Sequence, residues 1–354
     1  MKNLREIISN LLNNFLKFRK NDIVSIAAEI YNTSDSKDAL IEMEIVEALY
    51  LELIRKKTFP LLNLSLQKIQ QAMKAEFSTY ETAIPEKIDQ NFIDNIDTFI
   101  EVGWKKLSRQ NLTDNDLPKS SVDPQIFYWH RIFQNKKDLV FLNYPTPELA
   151  DNLQTQYKDL LQTYLMSINC NYVKLKQQAE TLKDDFFSYA NYRITTQQEK
   201  INIKIMKDRY QLFMGTSLDH QITILPAGII EFPMEKIALD GIFLAEKVYY
   251  KNLVFDNVKL NFTDGVIRYI SFKSDQKGNY SLQNKIMSSQ KECYFSLGFN
   301  MEITDYTGFY LYDRCINGNI SLKFFDQDFY PIVLSSLNAE IKKRKRIFMS
   351  GINK

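Results

Sequence analysis

Hydrophobic residues recur at helical spacing in the first half of the chain. They fall three or four positions apart between Leu4 and Leu16, which predicts an amphipathic first helix that packs on its own domain. Binding of this apolar face to a membrane surface or a partner is the alternative interpretation. Residues 22–28 and 59–64 read as short buried strands, and residues 41–55 between them have helical periodicity.

Further helices are predicted before the middle of the chain. The residues Thr146, Pro147 and Glu148 provide an N-cap, a first-turn proline and a first-turn acid. Apolar residues continue from there at helical spacing as far as Tyr164. Residues 175–189 carry a second apolar stripe, which is typical of a helix that faces a core.

The pattern changes beyond residue 193 to an alternation with a period of two. Residues 201–205 and 258–262 alternate apolar and polar side chains, which predicts strands that are buried on one side. The dipeptide Asp264-Gly265 then provides a hairpin turn.

These patterns define the predicted fold class. A strand, a helix and a second strand near the N-terminus predict an α/β domain with a parallel sheet, which we place in residues 1–190. Residues 191–354 are predicted to form a β-rich α+β domain. The length of 354 residues is compatible with two domains.

Composition narrows the partners of the protein. The 45 basic and 43 acidic side chains nearly cancel, so no overall field attracts nucleic acid. No apolar run reaches the length of a membrane span, and the N-terminus has no signal-peptide core. Three cysteines without paired zinc-binding spacing favour a reducing compartment. We therefore expect a cytoplasmic protein with neither nucleic acid nor membrane as a partner.

Histidine is scarce, and this limits the chemistry. The chain has two histidines, His130 and His220. Imidazole is the usual general base and zinc ligand because its neutral form accepts protons near pH 7 and coordinates metals. We interpret His130, which lies among aromatic residues, as a packed residue, and His220 as a residue of a surface turn. Phosphate-binding loops and the motifs of zinc proteases and serine hydrolases are absent from the sequence.

Two segments of the second half resemble a known family. Residues 224–270 contain a Leu-Pro-Ala-Gly turn followed by a proline, and residues 294–325 contain a glycine-and-asparagine segment that leads to an aspartate. In these features the chain resembles the thermophilic metallo-aminopeptidases of the aminopeptidase T type, whereas its first half fits that family only in pattern. The matching residues are Leu225, Pro226, Ala227, Gly228, Pro233, Gly241, Leu260, Phe262, Gly265, Ile267, Gly298, Asn300, Asp313 and Gly318.

The resemblance implies that metal ligands have been lost. Active members of the family hold two metal ions with two glutamates, two histidines and an aspartate. Carried over to this chain, the first glutamate falls at Ile229, the second near Tyr294 and the first histidine at Ser321, and no histidine follows. An alkyl side chain cannot coordinate a metal ion. We therefore expect no catalytic residue of the family type and no cofactor.

The resemblance leads to a hypothesis of recognition without catalysis. The family cleft accommodates peptide N-termini, so a degenerate member is expected to bind a peptide or a partner protein, as an accessory subunit in peptide maturation. The predicted binding residues are Ile229, Glu231, Tyr294, Ser321 and Asp313. Members of the family form dimers, and a homodimer is expected for this chain.

Three alternatives remain open. The first is an active aminopeptidase that holds Zn, Mn or Co on relocated carboxylates; Glu231 lies two residues after Ile229 and would face the same side of a strand. The second is a structural subunit of a heteromeric complex. The third is lyase or oxygenase chemistry on a small aromatic compound, because an iron-dependent ring-cleaving enzyme shares the family fold. The further carboxylates considered for a relocated site are Glu302, Asp305, Asp326 and Asp328.

Overall fold

A computed structural model shows two compact units, and its elements agree with the two patterns of periodicity. The first unit contains residues 1–169 and 215–225, and the second contains residues 170–214 and 226–354. The residues that the structure describes are 4–30, 38–66, 86–103, 137–187, 191–205, 211–213, 222–235, 238–251, 253–273, 279–289, 292–327, 330–337, 339–343 and 346–349.

The described helices and strands are numbered in chain order. The helices are α1 (Leu4–Asn14), α2 (Asp38–Arg55), α3 (Glu86–Asn95), α4 (Pro147–Asn152), α5 (Tyr157–Ile168), α6 (Tyr172–Phe187), α7 (Asn279–Met287) and α8 (Tyr310–Asp313). The strands are β1 (Ile23–Ile30), β2 (Phe59–Leu66), β3 (Thr98–Val102), β4 (Asp138–Leu142), β5 (Asn191–Thr196), β6 (Glu199–Lys204), β7 (Gln211–Phe213), β8 (Ile222–Leu225), β9 (Ile229–Glu235), β10 (Asp240–Tyr250), β11 (Leu253–Thr263), β12 (Val266–Phe272), β13 (Glu292–Gly298), β14 (Ile320–Phe325), β15 (Pro331–Ser336), β16 (Ala339–Lys343) and β17 (Arg346–Met349).

The first unit contains the predicted parallel sheet. Its strand order is β2-β1-β3-β4-β8, and every neighbouring pair is parallel. Parallel neighbours need a crossover connection, and the helices predicted from the 3.6-residue pattern are placed between the strands along the chain. The last strand of this sheet, β8, follows three strands of the other unit in the sequence. In this part of the chain, as in the rest of what the structure describes, no helix has both the length and the apolar content of a membrane span.

The predicted N-cap at Thr146 is confirmed, but the helical pattern that follows it belongs to two helices. The hydroxyl of Thr146 accepts a hydrogen bond of 3.1 Å from the backbone N–H of Leu149. The first helix, α4, ends at Asn152, and Gln154 has a positive φ of 54° before α5 begins at Tyr157. Apolar spacing that continues through a break in the backbone does not reveal the break.

The second unit is built on a large antiparallel sheet. The path of neighbouring strands is β17-β16-β5-β6-β10-β15-β14-β13-β9-β7, and β11 and β12 extend from β10. The predicted hairpin between β11 and β12 is confirmed. Asp264 and Gly265 have φ values of 48° and 72°, which is the left-handed geometry that a tight hairpin turn requires. An α/β unit and a β-rich unit together make up the predicted fold class.

The two faces of the central strands differ in chemistry. On one face the side chains are apolar, and the ring centroid of Phe186 from α6 lies 5.3 Å from that of Phe232 and 5.9 Å from that of Phe295. The alternate residues of the same strands point to the opposite side, which we call the polar face. Its central members are Ile229, Glu231, Tyr294, Ser296, Ser321, Lys323, Ser335 and Tyr249.

Candidate functional site

The strand register brings four buried polar residues into line across the polar face. Glu231 of β9 lies opposite Ser296 of β13, which lies opposite Ser321 of β14, which lies opposite Ser335 of β15. All four are at most 1% exposed. Directly opposed side chains in an antiparallel pair share a face and approach within about 5.5 Å at Cβ. We call these four residues the polar row.

The structure places four of the five predicted binding residues together on this face. Ile229 and Glu231 are alternate residues of β9 and therefore point to the same side. Tyr294 pairs with Lys323 across two neighbouring strands, and Ser321 belongs to the polar row with Glu231. They are close because strands that are distant in sequence pair in this register.

Glu231 is the anion of a buried ion cluster. Its Oε1 accepts a hydrogen bond from Lys323 Nζ at 2.5 Å, and its Oε2 accepts a hydrogen bond from Arg314 Nη2. The side chains of Arg314 and Lys323 are only 8% and 13% exposed. Arg314 directly follows α8, so the cluster joins two strands of the sheet to a separate short helix. We call these three residues the ion cluster.

The pKa values in the ion cluster reflect a balance between burial and charge. Burial acts to raise the pKa of Glu231, but the neighbouring charges of Arg314 and Lys323 outweigh it and hold that pKa below the ordinary 4.5. Burial lowers the pKa of Lys323 to about 8, with Glu231 opposing the change and Arg314 adding to it. Glu231 and Lys323 are therefore both predominantly charged at neutral pH.

The ion cluster reaches the surface beside two aromatic rings. Lys323 Nζ lies 4.3 Å from the ring centroid of Tyr294 and 5.4 Å from that of Phe325. The two rings meet edge to face, with their centroids 6.0 Å apart. All three residues are half-buried, whereas Glu231 and Arg314 are buried. An ammonium group against aromatic faces is a favourable arrangement.

The serine hydroxyls of the polar row differ in their partners. Ser321 Oγ lies 2.9 Å from Ser335 Oγ and accepts a hydrogen bond of 3.3 Å from Asn319 Nδ2. Ser296 Oγ and Arg314 Nε are buried without a hydrogen-bond partner in the part of the chain that the structure describes. Both of these atoms lie in or beside the ion cluster.

Ile229 occupies an apolar environment. It packs in a buried cluster with Ile303, Cys315 and Ile316, and burial raises the pKa of the Cys315 thiol well above its ordinary value. The Cys315 Sγ contacts the carbonyl oxygens of Pro226 and Leu311. The backbone position that the resemblance equates with a glutamate is therefore part of the hydrophobic core.

Asp313, the fifth predicted binding residue, holds a loop in place. Its carboxylate accepts hydrogen bonds from Thr307 N–H and Oγ1–H, both at 2.7 Å, from Gly308 N–H at 2.9 Å and from Tyr249 O–H at 2.6 Å. Burial raises its pKa to about 6, although each of these donors acts to lower it. The residue is fully buried and its acceptor sites are occupied.

Two of the glycines that carry the family resemblance permit close backbone approach at this site. A Cβ atom on Gly298 would fall on the carbonyl oxygens of Arg314 and Ile316, and one on Gly228, which has a φ of 116°, would fall on Asn300. Asn300 Nδ2 in turn donates to the carbonyl of Ala227 at 2.9 Å. These glycines let the segment after α8 lie against the end of β13, which positions Arg314.

The side chains present do not fit the metal pair that the resemblance implies. Two cations already occupy both carboxylate oxygens of Glu231, and Ile229 offers no donor atom. A divalent ion at this place would add charge to a site that contains more cations than carboxylates. Within the described ranges, no three His, Cys, Asp or Glu residues are placed to hold a metal ion.

Among the described residues, the carboxylates considered for a relocated site do not assemble into a metal-binding group either. Asp326 is buried and accepts hydrogen bonds from Tyr250 O–H and from the backbone N–H of Tyr330, both at 2.8 Å. Asp305 accepts a hydrogen bond from the hydroxyl of its neighbour Thr304. Asp328, together with the two histidines His130 and His220, lies outside the described residues.

The architecture is that of an aminopeptidase-like fold. The structure is similar to wild-type AmpT from Thermus thermophilus, with a TM-score of 0.65 and 9% sequence identity over 96% of this chain and 94% of that chain. It is also similar to a 2,5-dihydroxypyridine dioxygenase from Pseudomonas putida KT2440, with a TM-score of 0.56 and 11% identity over 98% and 95% of the two chains. No family model and no curated protein sequence matches. The predicted kinship with the aminopeptidase T type is confirmed as a distant structural relationship.

Sequence reasoning did not find Arg314, Lys323 and Ser296. A signal for them exists in the strands, because β13 and β14 read ECYFSLG and ISLKFF, where one set of alternate positions is apolar and the other contains serine and lysine. Because both faces of these strands are buried, the serine and lysine side chains lie inside the protein. Their mutual pairing follows only from the strand order.

Proposed function

We propose that this chain is an aminopeptidase-like protein that binds a peptide or a partner protein and has lost the metal centre of the family. The ion cluster carries this proposal, because cationic side chains pair with both carboxylate oxygens of Glu231. A metal ion would have to displace Lys323 or Arg314 and would leave that cation buried without its counter-charge. Breaking a buried ion pair in this way costs about 3–5 kcal/mol.

The environment of Ile229 supports the same proposal. Its alkyl group packs against Ile303 and Ile316 in a buried cluster. A metal ion near this group would have to be stripped of water without receiving a ligand in exchange, which is unfavourable. The fold and the glycine framework persist while the position of the first expected ligand has become part of the core.

Partly exposed side chains on the polar face support recognition. Tyr294 and Phe325 are half-buried and flank the ammonium group of Lys323. Aromatic side chains beside a cation are common anchors of protein interfaces, because they bury a large area with few rotatable bonds. A role as an accessory subunit in peptide maturation follows if the bound peptide is the substrate of a partner enzyme.

Metal content and peptidase activity test the first half of the proposal. The purified protein is incubated with excess zinc, manganese or cobalt, dialysed, analysed by inductively coupled plasma mass spectrometry and assayed with fluorogenic aminoacyl substrates. We expect less than about a tenth of an equivalent of retained metal, because structural sites bind zinc with apparent free energies of about 10–16 kcal/mol and would retain it through dialysis. One or two retained equivalents with chelator-sensitive activity would overturn the proposal in favour of an aminopeptidase with a relocated site.

A peptide-binding assay tests whether the chain recognises a peptide. Fluorescence anisotropy with a pool of labelled peptides is expected to detect binding in the micromolar range, and Tyr294→Ala is expected to weaken it. Tyr280→Ala is the matched control, because Tyr280 of α7 is 78% exposed and lies outside the polar face. A tight complex with another protein, without any peptide binding, would support the structural-subunit alternative. Light scattering on the same preparation tests the expected homodimer.

A further inference from the structure

The ion cluster contains more positive than negative charge. Arg314 and Lys323 each carry +1 and share the single negative charge of Glu231, which leaves a net charge of +1. Among the described residues, no ion pair joins the neighbouring carboxylate of Asp313 to the cluster, since its hydrogen bonds go to Thr307, Gly308 and Tyr249. Buried charge in excess is unfavourable unless it is paired, so the cluster is suited to one further anionic group.

Two hydrogen-bond donors beside the cluster have no acceptor among the residues described. Arg314 Nε belongs to the side chain that pairs with Glu231, and Ser296 Oγ lies on the strand next to Glu231, directly opposite it. The two residues are 7% and 1% exposed. Buried polar groups in native proteins nearly always have partners, so an unsatisfied pair at one place points to a bound ion, water or ligand.

Exposure indicates how a ligand reaches this place. Lys323 is the most exposed member of the cluster, and the half-buried rings of Tyr294 and Phe325 flank it. Glu231 and Ser296 lie deeper, at 1% exposure. A group that approaches from the solvent therefore meets the ammonium of Lys323 before the other two members of the cluster.

We propose that Lys323, Arg314 and Ser296 form a binding site for the carboxylate group of a peptide. Lys323 provides the charge, and Arg314 Nε–H and Ser296 Oγ–H donate hydrogen bonds to the carboxylate oxygens. This inference rests on the proposed function, because it names the chemical group by which the peptide is recognised. A peptide amine would bring a third cation to a single carboxylate, and a phosphate dianion would exceed the net charge of +1.

A set of peptides with one common sequence tests the inference by isothermal titration calorimetry. The set contains a free C-terminal carboxylate, a C-terminal amide, an amide with one internal glutamate and an amide with one internal lysine. We expect a peptide with a carboxylate to bind at least about tenfold more tightly than the neutral amide, which corresponds to about 1.4 kcal/mol. Preference for the free terminus or for the glutamate identifies the source of the carboxylate.

The failures of the two proposals are distinguishable. Equal affinity for all four peptides would overturn the carboxylate site and leave peptide recognition standing. If no peptide binds, peptide recognition fails, and sodium acetate then tests the site alone against sodium chloride at equal ionic strength. An acetate-specific rise of the unfolding midpoint that disappears in Ser296→Ala would support the site, and its absence would overturn it.

Substitutions at Ser296 and Lys323 test whether these residues cause the preference for a carboxylate. Ser296→Ala removes a hydroxyl that has no described protein partner, so the variant should fold with unchanged stability and bind the carboxylate peptide about tenfold more weakly. Ser336→Ala is the matched control. Ser336 is equally buried, its hydroxyl also has no hydrogen-bond partner among the described residues, and it lies on the apolar face. Lys323→Met should also abolish the preference, whereas Lys259→Met, at a surface pair with Glu199, should retain it. An undiminished carboxylate preference in Ser296→Ala and Lys323→Met would overturn the inference.

Discussion

Glu231 and Lys323 pair directly across an intervening strand. Their Oε1 and Nζ atoms are 2.5 Å apart, although β13 separates β9 from β14. Strands two positions apart in a sheet are separated by about 10 Å, so both side chains must extend over the strand between them. The residue of that strand opposite Glu231 is Ser296, whose side chain is small. The pair therefore depends on a small side chain at that position.

Substitution of the shared anion tests the energetics of the ion cluster. Glu231→Gln should lower the free energy of unfolding by about 3–5 kcal/mol, because it leaves two buried cations without a counter-charge. Denaturant titration at pH 7 measures the change. Glu199→Gln is the control, since Glu199 pairs with Lys259 at the surface, and it should leave the midpoint unchanged.

The same experiment has a second arm. Replacement of all three members by apolar residues, Glu231→Leu with Arg314→Met and Lys323→Met, should recover most of the stability that Glu231→Gln loses, because buried ion pairs contribute little net stability over well-packed apolar groups. A triple variant as unstable as Glu231→Gln would show that the cluster stabilises the fold beyond neutralising its own charges.

Lys323 should make the free energy of unfolding depend on pH in the alkaline range. Burial lowers its pKa to about 8 from the ordinary 10.5, so between these values the unfolded chain holds a proton that the folded protein has released. The contribution of Lys323 to the free energy of unfolding should therefore rise as pH increases from about 8 to 10.5. Urea titrations across this range compare the protein with Lys323→Met, which should lack the rise. Identical pH profiles would contradict a lowered pKa of Lys323.

Asp313 should be important for stability because four donors converge on its carboxylate. Asp313→Asn replaces one acceptor oxygen with an amide nitrogen and should destabilise the protein by about 2–3 kcal/mol, since buried donors lose their acceptor. Tyr249→Phe removes one of these hydrogen bonds and should cost about 1 kcal/mol. Denaturant midpoints at pH 7 provide the comparison, and equal losses in the two variants would contradict the expectation.

The contribution of Asp313 to stability should change with pH in the opposite direction to that of an ordinary ion-paired carboxylate. Its pKa is raised to about 6 from the ordinary 3.8, so between these values the folded protein holds a proton that the unfolded chain has lost. The contribution of Asp313 to stability should fall as pH rises from 3.8 to about 6. Glu231, whose pKa is lowered, contributes stability that is lost as pH falls below 4.5. Stability is measured against pH for the unmodified protein and for Asp313→Asn, and the difference between the two curves isolates the contribution of Asp313.

Gly298→Ala tests how the backbone positions Arg314. The added Cβ would overlap the backbone carbonyl oxygens of Arg314 and Ile316, so the segment after α8 must move. We expect destabilisation of at least about 2 kcal/mol, in the range of overpacked cores. Gly318→Ala is the matched control, since its Cβ would meet no atom within 4 Å, although its φ of 84° adds some strain. Stability equal to that of Gly318→Ala would contradict the role assigned to Gly298.

The fold class and many of the elements follow from local patterns in the sequence. Helical spacing before residue 190 and the period of two beyond it are local consequences of which side of each element is buried. The strands at residues 22–28 and 59–64, the cap at Thr146 and the turn at Asp264-Gly265 were predictable because their signals lie within a few residues. The distant relationship to AmpT was predictable from a glycine framework that backbone packing requires.

Which residues form the site depends on long-range strand pairing. Glu231 and Lys323 are 92 positions apart in the sequence, and they meet at Ser296 because β9, β13 and β14 pair in one register. Arg314 joins them from outside the sheet because two glycines permit close backbone contact. Register and close approach depend on long-range pairing, which residue periodicity does not encode. The loss of the family's metal ligands stays a prediction from the sequence, whereas the two cations that pair with the buried carboxylate of Glu231 follow only from the structure.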